Sequence, residues 1–221
     1  MPKLNIKGPI ITSGQQWIYD YFDIEATSPS KVNKILGSVN GNEDLEVEIN
    51  SCGGDISAGS EIYTAIRGYS KGNVRINVVG SAYSAGSVIA MAGPCYMSPT
   101  AMMMCHKVST YASGNSDDMD KTSKTLQVAD QTIANAYIAK SGMSMNDALK
   151  MMADETWLTA QQALDRGLID GIMFEEKQAS STSSFFNSFN GMIPQEVIEK
   201  MQNEKMNNSN KEKLLNKLKK I

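Results

Sequence analysis

This sequence predicts an α/β protein built on a largely parallel sheet. Three observations carry that prediction. Residues 45–50 and 74–79 alternate apolar and polar as half-buried strands do, and the apolar run 102–105 supplies a third strand. Each of the first two ends in a small-residue turn that opens into a helical pattern. A strand–helix–strand–helix–strand order then requires crossover connections, which lay successive strands side by side in parallel.

The elements follow in order. Residues 3–11 read as a strand that breaks at Gly8-Pro9. Tyr19-Asp20-Tyr21-Phe22 and the Ser28-Pro29 turn lead to a helix over 30–39, with Ser28 or Ser30 as its cap and Pro29 suited to its first turn. The strand 45–50 stops at the turn Ser51-Cys52-Gly53-Gly54, and a helix runs from near Ser57 to Ser70. Gly72-Asn73 turns the chain into the strand 74–79, which gives way to the segment Gly80-Ser81-Ala82-Tyr83-Ser84-Ala85-Gly86-Ser87 and a helix over 84–92. The third strand carries His106 at its end. From Asp117 to Ser141 the pattern is helical, with Met119, Leu126, Ala129, Ile133, Ala136 and Tyr137 on one face. Short helices follow over 144–153 and 159–167, the latter stopped by Gly167, and 168–172 closes the domain as a last strand.

At 221 residues the chain can bury one substantial core with length to spare. We expect a globular domain over 1–175. Beyond it, Ser180-Ser181-Thr182-Ser183-Ser184 reads as a linker, and the Lys-, Asn- and Glu-rich remainder of 176–221 as a flexible or helical tail. A net charge of −3 gives no case for nucleic-acid binding. No apolar run approaches the roughly 20 residues of a membrane span, and the N-terminus lacks a signal peptide's apolar stretch, so a cytoplasmic protein is expected. One histidine and three cysteines without a CxxC pair make a zinc site improbable, and neither metal nor cofactor is expected.

With a single histidine in the chain, the search for serine chemistry narrows to His106, since the usual general base at neutral pH is an imidazole. Three features stand out, each with an ordinary role as its rival. Ser84 sits where a helix begins, next to the Ala85 N–H and the positive end of the helix dipole; N-caps are the commoner use of such a serine, and Ser81 and Ser87 compete with it. Gly53-Gly54 lets backbone approach a ligand and aim N–H groups at an anion, or simply makes a turn. His106 is a base or a satisfied core residue. Cys105 adjoins His106, but neighbours on a strand point to opposite faces, which argues against a thiol nucleophile.

Taken in order and spacing, these segments resemble the Clp protease proteolytic subunit family of serine peptidases. The matching stretches are Ile49-Asn50-Ser51-Cys52-Gly53-Gly54, Ala58-Gly59, Ile62-Tyr63, the segment from Gly80 to Ser87, Met104-Cys105-His106, and Trp157-Leu158-Thr159-Ala160 through Gly167-Leu168-Ile169-Asp170. The resemblance implies a Clp protease/crotonase-like spiral of strand–helix units with a protruding handle helix at about 120–141. It implies Ser84 as nucleophile, His106 as base, and the N–H groups of Gly54 and Ala85 as the oxyanion hole. The family's acidic member falls on Glu155, with Asp154 one residue before it as the other candidate. It further implies a polypeptide substrate, pairing as an added strand along 108–120, and a homo-oligomer, with rings stacked through the handle.

Departures qualify this picture. Cys52 stands where the family usually has proline, and Lys107-Val108 where it has Gln-Pro. The N-terminal region does not resemble the family's axial loop, which argues against docking to an unfoldase ATPase. The opening of the chain, Tyr19-Asp20-Tyr21-Phe22 and Glu155-Thr156-Trp157 resemble the Clp-like prohead proteases of tailed phages and prophages, which process scaffold and capsid proteins during head maturation. The alternatives are general ATP-dependent degradation, a crotonase-like enzyme that binds coenzyme A, and a catalytically silent assembly or scaffold protein.

Overall fold

The computed structural model describes residues 1–175; the linker and tail expected over 176–221 lie outside the described residues. Five strands form the parallel body of the sheet in the order β1 (Lys3–Ile10), β2 (Leu45–Gly54), β3 (Val74–Tyr83), β4 (Cys95–Met97) and β7 (Gly171–Ile172). The crossovers between them are α2 (Pro29–Ser38), α3 (Ile56–Arg67) and α4 (Ala85–Ala90), preceded by a short α1 (Gln16–Tyr21). β5 (Met102–Cys105) branches from the far end of β3, and β6 (Thr156–Thr159) adds antiparallel to β5. Between them run α5 (Ser116–Ser141) and α6 (Met145–Ala153), and α7 (Ala160–Asp165) leads to β7.

Alternation builds the core as expected. Leu45, Val47 and Ile49 of β2 are buried on one face and meet Ile76 and Val78 of β3, while Ile62 and Ile66 of α3 close over them. Helix ends are locally specified: Ser28 caps α2 by accepting from the Lys31 N–H, with Pro29 at the first helical position. Asp55 caps α3 through the Ala58 N–H at 2.7 Å.

Several elements differ from the sequence expectation. β1 does not break at Gly8-Pro9; its register with β2 shifts there and pairing resumes at Pro9↔Gly53. β2 therefore runs on through the expected turn, and β3 continues to Tyr83 because its last residues pair with β5. β4, β6 and α1 are additional. The closing strand shrinks to two residues, since the Leu168 N–H is taken by Ala163 at the end of α7. In α5 the buried residues are Asp130, Ile133, Ala134, Ala136 and Tyr137, all in the C-terminal half. Met119 is exposed, because the first half of this 26-residue helix projects from the body.

Candidate active site

The site is made by the fork in β3. Its first half pairs with β4 and its second half with β5, Ser81↔Met102 through Tyr83↔Met104. The ladder extends one step further, where the Ser84 N–H donates to the Met104 carbonyl at 2.9 Å. Ser84 leaves β3 at the level at which His106 leaves β5, so the two side chains come together across the strand ends. His106 Nε2 lies 2.8 Å from Ser84 Oγ. With the serine hydroxyl donating, Nε2 is the acceptor and the ring proton resides on Nδ1. Both residues are half-buried at a cleft of about 310 Å³, whose lining includes the apolar Val88, Val108, Ile133 and Tyr137 together with Gly54 and Asp55.

Ser84 has φ 53° and ψ −123°, a conformation that side-chain-bearing residues rarely adopt and that persists only when its surroundings enforce it. Small neighbours make room for it. A Cβ on Gly53 would fall 2.6 Å from both Ser84 Cβ and the Tyr83 carbonyl oxygen, so glycine is required there. Gly53 itself is held by Ser51, whose Oγ accepts from the Gly53 N–H at 3.1 Å and donates to the Gly8 carbonyl at 2.6 Å. Gly59 of α3 admits α4 equally closely, since a Cβ there would stand 2.9 Å from that of Ala85. Ala85 is the first residue of α4, so its N–H has no acceptor within the helix.

The rival nucleophiles are engaged elsewhere. Ser87 is fully buried, and its hydroxyl is committed to the Ser84 carbonyl and Tyr137. Ser81 lies within β3, short of the turn, and the imidazole bonds to Ser84 and not to it. Burial pushes the Cys105 thiol up to about 11, so it carries no thiolate at neutral pH. Asp154 and Glu155 are exposed in the turn between α6 and β6, and neither is hydrogen-bonded to His106. Glu155 sits at φ 45° and accepts from Trp157 Nε1 at 3.4 Å. Two residues adjoin the site that the sequence reading left out of the chemistry: Ser87, considered only as a nucleophile, and Asp130, a buried carboxylate on α5 that accepts the Val108 N–H at 2.8 Å. A polar residue inside the apolar stripe of α5 was the available signal for Asp130. Among the described residues no group of three or more His, Cys, Asp or Glu side chains could hold a metal ion.

A parallel α/β sheet that presents a serine on a strained strand-to-helix turn, with an imidazole on its hydroxyl, defines a serine hydrolase. The profile of the Clp protease family matches residues 24–176, and the chain belongs to that family, whose members are serine peptidases. The ATP-dependent Clp protease proteolytic subunit of Ligilactobacillus salivarius is 33% identical over 150 residues, covering 65% of this chain and 74% of the relative. The corresponding subunit of Deinococcus radiodurans is 29% identical over 147 residues, 65% of this chain and 72% of the relative. Subunit 1 of Chlamydia abortus is 30% identical over 144 residues, 63% and 74%.

Proposed function

We propose that the protein is an endopeptidase working by acyl transfer, with Ser84 as nucleophile and His106 as base. The observation that carries this reading is the 2.8 Å contact between Nε2 and Oγ. Ser84 attacks the peptide carbonyl as His106 takes its proton; the imidazolium then protonates the leaving amine, and water repeats the sequence to free the acid. The N–H groups of Gly54 and Ala85 hold the oxyanion. Gly54 suits a role played by backbone alone, because at its φ of +149° a Cβ would collide with the Ile10 carbonyl.

Glu155 orients the imidazole in this scheme, with Asp154 the other candidate. Position supports Glu155: the β5–β6 ladder ends at Cys105↔Thr156, so His106 and Glu155 are the residues that immediately adjoin its last pair, while Asp154 closes α6 as its C-cap. The turn also lies against this segment, since the Lys107 N–H donates to the Met152 carbonyl at 3.1 Å.

The substrate is a polypeptide, laid as an added strand along 108–115, since the expected stretch to 120 is cut short where α5 begins at Ser116, and the working form is a homo-oligomer of stacked rings. Exposed Val128 and Met119 on the projecting half of α5 are the kind of apolar surface that subunit contacts cover. The finer role is processing of scaffold and capsid proteins during phage head maturation, in the bacterial cytoplasm or the procapsid. Its support is the resemblance of Tyr19-Asp20-Tyr21-Phe22 and Glu155-Thr156-Trp157 to prohead proteases. Among the described residues no helix is long and apolar enough to cross a membrane.

Fluorophosphonate labelling with peptide mapping tests the chemistry. Label on Ser84 that is absent from Ser84→Ala and slowed in His106→Ala is the expected result; a wild type that takes no label in any assembly state refutes it. Scaffold and coat proteins cleaved at discrete sites without ATP support the maturation role, whereas casein degradation that needs an added Clp ATPase favours general proteolysis.

A further inference from the structure

The buried face of α5 carries two polar side chains that take no part in the acyl transfer, and both reach the site by hydrogen bonds. Tyr137 is 1% exposed, with its hydroxyl 2.7 Å from Ser87 Oγ. Ser87, 0% exposed, lies 2.6 Å from the Ser84 carbonyl oxygen, and the Cys105 sulfur is 3.9 Å from Ser87 Oγ. A hydroxyl has one proton and two lone pairs, which fixes the direction of this network. The Ser84 carbonyl can only accept, so it takes the Ser87 proton; Tyr137 and Cys105 then donate into Ser87. Burial raises the Tyr137 phenol well above its usual range and the Cys105 thiol to about 11, so both remain donors wherever the peptidase works.

The consequence lies in the peptide plane. The Ser84 carbonyl and the Ala85 N–H belong to one trans peptide and point in opposite directions, so anchoring the oxygen aims the N–H. Ser84 has the strained φ of 53°, and its carbonyl also accepts the Ser87 and Val88 N–H groups at 2.9 and 3.3 Å, so the Ser87 hydroxyl adds the shortest of three bonds that hold this plane. Seven residues earlier on the same face of α5, Asp130 accepts the Val108 N–H and thereby holds the segment that follows His106.

We propose that Tyr137, through Ser87, is a positioning residue that aims the Ala85 N–H into the oxyanion hole, and that Asp130 is its counterpart for the segment bearing His106. The proposal rests on the serine-peptidase reading above. It makes α5 the common support for both halves of the catalytic pair.

The test is Tyr137→Phe in the full chain, assayed for peptide hydrolysis, for inhibition by a peptide boronate and for labelling of Ser84. A donor that has lost its aim weakens the transition state and not the ground state. Tyr137→Phe is therefore expected to lower kcat about tenfold with KM unchanged, and to raise the boronate Ki by a similar factor. In a Ser87→Ala background the same substitution is expected to leave kcat unaltered, because the route from the phenol to the Ser84 carbonyl is already cut. Asp130→Asn, which keeps an acceptor for Val108, should retain most of the labelling rate that Asp130→Leu loses. A tenfold fall in kcat that is repeated in full in the Ser87→Ala background, or a wild-type kcat and boronate Ki for Tyr137→Phe, overturns the Tyr137 assignment. Equal labelling rates for Asp130→Leu and Asp130→Asn overturn that of Asp130. Absence of label on wild-type Ser84 would instead refute the peptidase reading itself.

Discussion

Gly53→Ala offers the most direct test of how the nucleophile is held. The added methyl would stand 2.6 Å from Ser84 Cβ, about 0.8 Å inside the 3.4 Å at which ordinary contact begins. The Tyr83 carbonyl oxygen is equally close and belongs to the backbone, so the methyl cannot escape by a side-chain rotation. Two penalties combine. Holding an L-residue at positive φ, here +89°, costs about 1–2 kcal/mol, and overpacking adds about 1–3 kcal/mol. A fold stable by about 5–15 kcal/mol survives that loss with a lower melting temperature. The nucleophile fares worse. A shift of about 0.8 Å stretches the 2.8 Å Ser84–His106 contact to the limit of a hydrogen bond, and displacement on this scale costs about 10²-fold in rate. The assay is the rate of fluorophosphonate labelling at a temperature where both proteins are folded, with Gly37→Ala as the matched control. Gly37 lies within α2 with nothing within 4 Å of its notional Cβ, so that variant should label normally and gain about 0.5–1 kcal/mol. Gly53→Ala labelled within about threefold of wild type would refute the claim that close packing against Gly53 fixes Ser84.

Two further outcomes follow from the geometry. Glu155→Gln is expected to lower kcat about 10²- to 10⁴-fold while Asp154→Asn stays within about threefold of wild type, and the reverse order would transfer the orienting role to Asp154. Burial raises the thiols of Cys95 and Cys105 from an ordinary 9.0 to about 12 and about 11. Above pH 9 the unfolded chain therefore releases protons that the folded chain retains, so their contribution to stability is complete below pH 9 and declines as pH rises toward 11–12. The urea midpoint should be lower at pH 10 than at pH 8, with this part of the drop abolished in Cys95→Ala/Cys105→Ala. In the native protein a thiol reagent should modify exposed Cys52 alone.

Local patterns in the sequence carry most of the fold. Alternation at 45–50 and 74–79 identified the central strands because each has one face in the core. β4 and β6 escaped notice for a physical reason: three or four residues are too few to show a period, and β6 exposes Trp157 on its outer face. The extension of β2 through Gly53 and Gly54 was hidden as well. Paired glycines signal a turn, and only pairing with Pro9 and Ile10 of β1 keeps the chain extended there. At the site, His106 was legible because it is the one histidine of the chain, and the small-residue turn because Gly, Ser and Ala cluster where a strand pattern gives way to a helical one. Tyr137 and Asp130 were not. Periodicity assigned Tyr137 to the right face of α5, but it reports burial and is silent about what a buried hydroxyl or carboxylate must bond.

The acidic partner shows where sequence spacing stops. Asp154 and Glu155 are adjacent, so the sequence places both within one residue of the family's position and separates them only by alignment. In the structure both lie in the turn between α6 and β6, Asp154 as the C-cap of α6 and Glu155 next to the first residue of β6. The ladder ends with Cys105 against Thr156, and the Lys107 side chain beyond it reaches toward Asp130, with Nζ 4.0 Å from a carboxylate oxygen. Alternation along β5 sends Cys105 into the core while His106 faces the cleft. The register of β5 thus removes the neighbouring thiol from competition. The contact between Trp157 Nε1 and Glu155 also gives the carboxylate a partner while it is away from the imidazole. Trp157→Phe removes that donor, and orientation of His106 by Glu155 requires that this change leave catalysis intact.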